Sequence, residues 1–271
     1  MSDQTITSAA NPRLKALVAL RRRRTRDETG RTLLEGYDEL ALALSAGVRP
    51  HELFVCPELM ADPRAQDDVV RAARAAHAQV VRLSRPAFEK VAYREGADGF
   101  LAVVPAVGAT PRELLLPAAP LVLIAESVEK PGNLGAMLRT ADAAGVDAVV
   151  AADPVTDWGN PNVVRSSKGT VFSVPVATAT TAETLAWARD RGIQVVAATP
   201  AATALHTDVD LTGPIAIAVG TEKEGLSREV LDVADVQVRI PMGGKANSLN
   251  VATSAAIVLY EAVRQRGPAA R

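Results

Sequence analysis

A chain of 271 residues, 48% of them hydrophobic, is long enough to bury a substantial core as one large or two modest domains. Its formal net charge of −1 gives no global attraction to a polyanion, so any affinity for nucleic acid must come from a local patch. The lone Cys56 excludes an internal disulfide and a multi-cysteine metal site, and no apolar run approaches the roughly 18 residues of a membrane helix. The opening Met1-Ser-Asp-Gln-Thr reads as neither a secretion signal nor a basic targeting segment, so a cytoplasmic protein is expected.

In chain order, the pattern predicts a helix over 11–26, a strand over 32–34, a helix over 38–46 and a strand over 52–55. A helix over 64–77, a strand over 80–83, a helix over 86–91 and a strand over 100–104 follow. This alternation implies a small α/β domain over 1–106. The first 26 residues hold Arg13, Lys15, Arg21, Arg22, Arg23, Arg24 and Arg26 against one acid, Asp3. Four consecutive arginines on a helix spread around its circumference, so some face solvent, where they would suit phosphates; a solvated helix face with Asp27 and Glu28 as partners is the alternative.

Three prolines and a glycine over 107–120 mark a linker, and a second domain is expected over 121–271. Three of its segments share one form: buried strand, glycine-containing loop with a fixed polar residue, helix. Leu121-Val-Leu-Ile-Ala125 leads to Glu129-Lys-Pro-Gly-Asn-Leu-Gly-Ala-Met-Leu-Arg-Thr-Ala141. Pro214-Ile-Ala-Ile-Ala-Val219 leads to Gly220-Thr-Glu-Lys-Glu-Gly-Leu-Ser227. Ile240-Pro-Met-Gly-Gly-Lys-Ala-Asn-Ser-Leu-Asn250 joins an apolar strand to a C-terminal helix patterned over 249–264, with Gly243 and Gly244 read as supplying backbone angles other residues resist. Ligands of open α/β sheets bind beyond the carboxyl ends of strands, so the three loops can share one site. Thr199, ending a strand over 193–198, would border it.

Other chemistries lack support. Gly243-Gly-Lys245 misses the first glycine of a phosphate loop, since Arg239 stands there, and Ala246 replaces its hydroxyl residue. His51, His77 and His206 have no second ligand at metal spacing, so no metal is expected. No G-x-G-x-x-G follows a strand, and aromatics at 3% argue against single-strand binding by stacking.

The order Asn133-x-Gly135-x-x-x-Arg139-Thr140, Gly220-Thr-Glu222-x-x-Gly225-Leu226, and Ile240-Pro-Met242 with Ser248-Leu249-Asn250 resembles the three motifs of the SpoU (TrmH-type) branch of the SPOUT methyltransferases. Over 121–266 the resemblance implies a knotted (trefoil-knot) parallel-sheet α/β domain, acting as a homodimer, that moves a methyl group from S-adenosylmethionine to a ribose 2'-hydroxyl of RNA. The N-terminal part, with Leu34-Glu-Gly-Tyr37, is similar to the ribosomal-protein-like RNA-binding extension of larger members, which favours 23S ribosomal RNA over transfer RNA. The resemblance assigns catalysis to Arg139, Asn133, Glu222, Ser248 and Asn250, and the cofactor to Thr199, Gly220, Gly225, Leu226, Ile240, Met242, Ser248 and Leu249. It also makes RNA contact the stronger reading of Arg21, Arg22, Arg23 and Arg24. Asn162-Val-Val-Arg165-Ser-Ser-Lys-Gly169 resembles the family as well, and Arg165 and Lys168 are RNA candidates or, alternatively, surface charges.

Three alternatives stay open. Guanidinium is a poor base, so Arg139 either deprotonates the hydroxyl after yielding its own proton to an RNA phosphate or only grips that phosphate and steadies the alkoxide. Glu222 is a site acid or a helix-start carboxylate favoured by the dipole after Leu226. The chain as a whole could be a non-catalytic RNA-binding or ribosome-assembly factor of the same fold, or a nucleotide-dependent enzyme of another class; the intact polar motif residues count against the former.

Overall fold

Short apolar strands alternating with amphipathic helices build a mixed five-stranded sheet from the first hundred residues, in a computed structural model that describes residues 4–64, 66–245 and 247–267. The chain forms two units: Met1–Val107 with Asp157–Ser173, and Gly108–Thr156 with Val174–Arg271.

In the first unit, strands β1 (Gln4–Ile6), β2 (Arg31–Glu35), β3 (Glu52–Val55), β4 (Gln79–Leu83) and β5 (Phe100–Pro105) lie in the order β1-β4-β3-β5-β2. Parallel pairing joins β1, β4 and β3, and antiparallel pairing joins β3, β5 and β2. Strand β1 escaped the sequence reading because it has three residues, of which only Ile6 is buried, too few to show a period. Phe54, Phe88, Leu14, Leu17, Val81 and Leu101 are buried together on one side of the sheet.

The helix expected over 11–26 is two helices. Helix α1 (Pro12–Ala19) starts at Asn11, whose side chain accepts from Arg13 N, and α2 (Arg23–Thr29) follows after Arg22, which is extended at φ −89° and ψ 132°. Arg26 accounts for the break. Its side chain is 4% exposed, and its Nη1 donates to the carbonyl oxygens of Leu20 (3.0 Å) and Arg21 (2.8 Å), groups left over where α1 stops. The arginine run therefore does not wind around a single helix. Helices α3 (Tyr37–Ser45), α4 (Asp67–Ala75) and α5 (Arg85–Val91) complete the N-terminal part.

The second unit is an all-parallel seven-stranded sheet. In chain order it has β6 (Leu121–Glu126), α6 (Pro131–Ala144), β7 (Ala148–Ala152), β8 (Val176–Ala179), α8 (Thr181–Asp190) and β9 (Gln194–Ala198). Next come β10 (Ala204–Leu205), β11 (Ile215–Val219), α9 (Arg228–Val233), β12 (Val236–Arg239) and α10 (Val251–Arg266). Between β7 and β8 the chain passes through α7 (Pro161–Ser166), which belongs to the first unit. The strand order is β10-β12-β9-β11-β6-β7-β8. Strands β6 and β11, buried at every position, pair at the centre with Leu121 opposite Ile215, as expected of strands covered on both faces. From β6 the chain runs one way to β7 and β8 and then back to β9 and β11, so the order reverses between β6 and β11, and a ligand crevice is expected there. Helix α10 packs against α6 and β11, bringing the third motif to the first.

The stretch read as a linker is partly built into this unit. Ala109 N donates to Val176 O and Ala109 O accepts from Thr178 N, Thr110 and Glu113 form a capping box, and Leu114 is buried.

Candidate active site

The loop after β11 is shaped by one contact that only glycine permits. A methyl group on Gly220 would overlap the carbonyl of Gly225, because the chain doubles back so that Thr221 N donates to Gly225 O (2.9 Å) and Gly225 N to Thr221 O (3.1 Å). Gly225 sits at φ +72°, and Thr221 Oγ1 accepts from Glu224 N (2.9 Å). Glu126, buried at the end of β6, accepts from Ser227 N (2.8 Å) and Thr181 Oγ1 (3.3 Å), pinning the far side of the loop.

This hairpin presents Glu222 to two other loops. Its Oε1 accepts from Asn133 Nδ2 (2.6 Å) and Asn250 Nδ2 (2.9 Å), while its Oε2 accepts from Lys130 Nζ. Asn250 Nδ2 also reaches Asn133 Oδ1 (3.2 Å), and Asn250 Oδ1 accepts from Ala252 N (3.0 Å), capping α10. The cap fixes which end of the Asn250 amide points where. The Lys130 ammonium foremost, then the Asn133 amide, holds the Glu222 carboxyl below the usual carboxylate range. Glu222 is thus an ionised acceptor that gathers three donors, and the helix-start alternative fails: Ser227 caps α9, its hydroxyl accepting from Val230 N (3.3 Å).

Beside this cluster lies a cavity of about 300 Å³. Thr199, Gly220, Gly225, Leu226, Ile240, Met242, Ser248 and Leu249, the eight residues expected at the cofactor, all line it, together with Glu222 and the apolar side chains of Val219, Leu231 and Val238. A second hollow of about 60 Å³ is bounded by Lys130, Asn133, Glu222, Lys223 and Val251, and Thr221, Glu222, Lys223 and Val251 belong to both. An apolar slot that opens onto a polar, partly cationic niche can hold a purine nucleoside and present its reactive end to a hydroxyl.

One sequence expectation changes here, and two expected site side chains have no hydrogen-bond partner among the described residues. Gly243 and Gly244 do not adopt positive φ, and a side chain on either would enter open space, so they are not required for the turn. Ser248 lines the cavity, and its hydroxyl makes no hydrogen bond among the described residues; Asn250 caps α10. Arg139 is exposed on α6 and makes no hydrogen bond or ion pair among the described residues. Six residues of helix separate it from Asn133 by about 9 Å along the axis and about 120° around it. The structure brings Asn133, Glu222 and Asn250 together and leaves Arg139 apart.

Lys130 was missed by the motif reading; its signal was its place in the same loop, three residues before Asn133. Asn247, in the loop between Ile240 and Asn250, lines the cavity too, as does Ser254, which was not anticipated. The RNA candidates lie in the first unit. Arg22, Arg23, Arg24, Arg165 and Lys168 are exposed, Arg23 and Arg24 pair with Asp27 and Glu28, and Arg21 donates to the carbonyls of Val91 and Ala92 beneath the Tyr93 ring. Among the described residues no His/Cys/Asp/Glu group could hold a metal ion, and no helix is long and apolar enough to cross a membrane.

In this parallel α/β sheet the loops after β9, β11 and β12 wall the apolar slot, one strand over from the reversal between β6 and β11, and the loops after β6 and β11 with the start of α10 set the Asn–Glu–Asn–Lys cluster at its edge, an arrangement suited to a nucleoside-type ligand. The SpoU rRNA Methylase family profile matches residues 120–260, and the chain belongs to that family. A profile described as an MRM3-like substrate binding domain matches residues 11–102. The chain is 31% identical to the 23S rRNA (guanosine(2553)-2'-O)-methyltransferase RlmP of Bacillus subtilis, over 94% of this chain and 97% of that protein. It is similar to a solved RNA 2'-O ribose methyltransferase at 41% identity and TM-score 0.82, covering 97% of this chain and 99% of that one. An rRNA methyltransferase from Sinorhizobium meliloti with AdoMet bound superposes with TM-score 0.88 at 29% identity, covering 96% and 97%.

Proposed function

We propose that the protein methylates a ribose 2'-hydroxyl of RNA, most simply 23S ribosomal RNA, using S-adenosylmethionine. The observation that carries this is the Glu222 cluster at the mouth of the slot, where Asn133, Asn250 and Lys130 meet one carboxylate beside eight cofactor-type wall residues. The slot fits the cofactor: Gly220 lets the loop that walls it fold back against the Gly225 carbonyl, where any Cβ would overlap backbone, and the walls are largely apolar. When bound, S-adenosylmethionine supplies a methyl group on a sulfonium, open to in-line attack.

The chain's own task is to position the hydroxyl, receive its proton and exclude water. Glu222, Asn133 and Asn250 form a hydrogen-bonded frame in which one amide is locked by the cap of α10, so the frame needs little reorganisation when a ribose arrives. Lys130 extends to lower pH the range over which the frame's carboxylate stays charged. Arg139 stands outside it, and its exposed guanidinium suits an RNA phosphate better than a proton acceptor.

The same reading makes the protein a cytoplasmic homodimer with a trefoil knot. Arg139, solvent-facing and away from the Asn133 face of α6, favours a site completed by a second copy. The return of the chain from β12, beyond β9, to α10 beside α6 favours the knot. Arg22, Arg23, Arg24, Arg165 and Lys168 contact RNA, with Arg21 beneath them as a support. Incubation with methyl-labelled S-adenosylmethionine and separately with ribosomal RNA, transfer RNA and 50S particles, followed by nucleoside mapping, tests the reading. Label in a 2'-O-methylribose of 23S RNA is expected; label on a base, or on transfer RNA alone, refutes it.

A further inference from the structure

Among the basic residues near the N-terminus, Arg26 is the one buried, and its bonds lead to an unexpected place. Its Nε donates to Asp157 Oδ1 (3.0 Å) and its Nη2 to Asp157 Oδ2, a two-pronged pair across 131 residues of sequence, while Nη1 holds the carbonyls of Leu20 and Arg21. Three guanidinium nitrogens are thereby satisfied, as a buried cation requires.

Asp157 opens the segment Asp157–Ser173, which runs between β7 and β8 of the second unit yet packs in the first. Other contacts hold it there. Thr32 Oγ1 donates to Gly159 O (2.8 Å). A side chain on Gly159 would press on Thr32 Oγ1 at 3.0 Å and on Arg26 Cδ at 3.2 Å, and one on Gly169, at φ +82°, would meet Glu39 Cα at 3.0 Å. Pro161 and Val164 line a small hollow with Leu33 and Leu101. The segment is therefore a strap seated on β2 and α3, and it carries Arg165 and Lys168, both exposed. At the other end of the Arg26 bonds, the break between α1 and α2 carries Arg22 and the first turn of α2 carries Arg23 and Arg24, all three exposed.

We propose that Arg26 is a positioning residue that locks the strap to the helix break, so that Arg165 and Lys168 join Arg22–Arg24 in one preformed phosphate-binding assembly for RNA. The inference rests on the RNA reading given above. Two short segments that each carry exposed cations would lose much of their affinity in ordering on RNA; one buried guanidinium bonded to both orders them beforehand. The lock also explains a sequence puzzle, since the net positive N-terminal segment invests one of its charges in the interior.

The test is a coupling experiment. Asp157→Asn removes the charge partner of Arg26, and the double variant Arg165→Ala/Lys168→Ala removes what the strap carries. RNA affinity across a salt series, read by filter binding without turnover, is expected to fall about ten-fold for Asp157→Asn, with the salt dependence reduced by up to roughly two units of slope. Added to the double variant, Asp157→Asn should cost no further affinity. Additive losses overturn the proposal. Thr32→Val, which keeps every charge, serves if Asp157→Asn melts out by circular dichroism, with the same non-additivity expected. Limited trypsinolysis reads the lock without RNA: cleavage after Arg165 or Lys168 should accelerate in either variant, and an unchanged pattern overturns it. If the wild-type protein binds no RNA while trypsin reports the lock, the RNA reading fails and with it the proposed role, whereas loss of methyl transfer alone leaves the coupling result standing.

Discussion

The sharpest prediction concerns Gly220. Substituting alanine places a methyl group on the Gly225 carbonyl, and because the obstacle is backbone, no rotamer change relieves it. The loop must open, breaking the two Thr221–Gly225 backbone bonds, each worth about 1 kcal/mol net, or accept an overpacked contact at about 1–3 kcal/mol. Either route costs about 2 kcal/mol, which corresponds to a fall in Tm of roughly 4–8 °C for a unit of this size. Where the clash is relieved by opening, the slot must close again around its ligand, so the dissociation constant for S-adenosylmethionine should rise by roughly 30-fold. Calorimetry measures both, with Gly244→Ala as the control, since a side chain there meets nothing within 4 Å and should change neither. Gly220→Ala with native Tm and a dissociation constant within three-fold of wild type would show that the doubled-back loop does not build the slot.

Lys130→Met removes the first of the interactions that hold Glu222 below the ordinary carboxylate range. A depressed carboxyl supports the site at all pH above that range and loses this support as pH falls through its folded-state value, so the acid limb of the kcat profile should move to higher pH in the variant and return with Lys130→Arg; an unmoved limb removes Lys130 from the frame. Arg139→Ala should abolish methyl transfer while S-adenosylmethionine binding by titration calorimetry stays within a few-fold of wild type, and retained turnover would dismiss it from the reaction. A substrate RNA with deoxyribose at the methylated nucleotide should bind and give no product, because the accepting oxygen is absent; methylation of it would mean a base is the acceptor.

Much of this protein was legible in its residues. The continuous apolar runs at 121–125 and 215–219 announced buried parallel strands, since a chain covered on both faces has no polar side to show, and the three glycine-bearing loops after such strands pointed to one site. Local signals failed where the deciding partner lay far away. Nothing near Arg26 reveals that a carboxylate at Asp157 will draw it inside and split the helix over 11–26, and nothing near Asp157 says that its segment will leave one unit for the other. Gly243 and Gly244 looked indispensable and prove free, whereas Gly220, unremarked as a backbone device, is the glycine that the close approach of Gly225 demands. The sequence alone determined the layered α/β class, the order of the loops and the identity of the polar residues, because these follow from periodicity and residue chemistry along a few turns of chain. Only tertiary structure decided that Glu222 binds Lys130, Asn133 and Asn250 together while Arg139 stands apart, because contacts between residues 28 to 92 positions apart depend on which strands become neighbours, and periodicity carries no information about that choice.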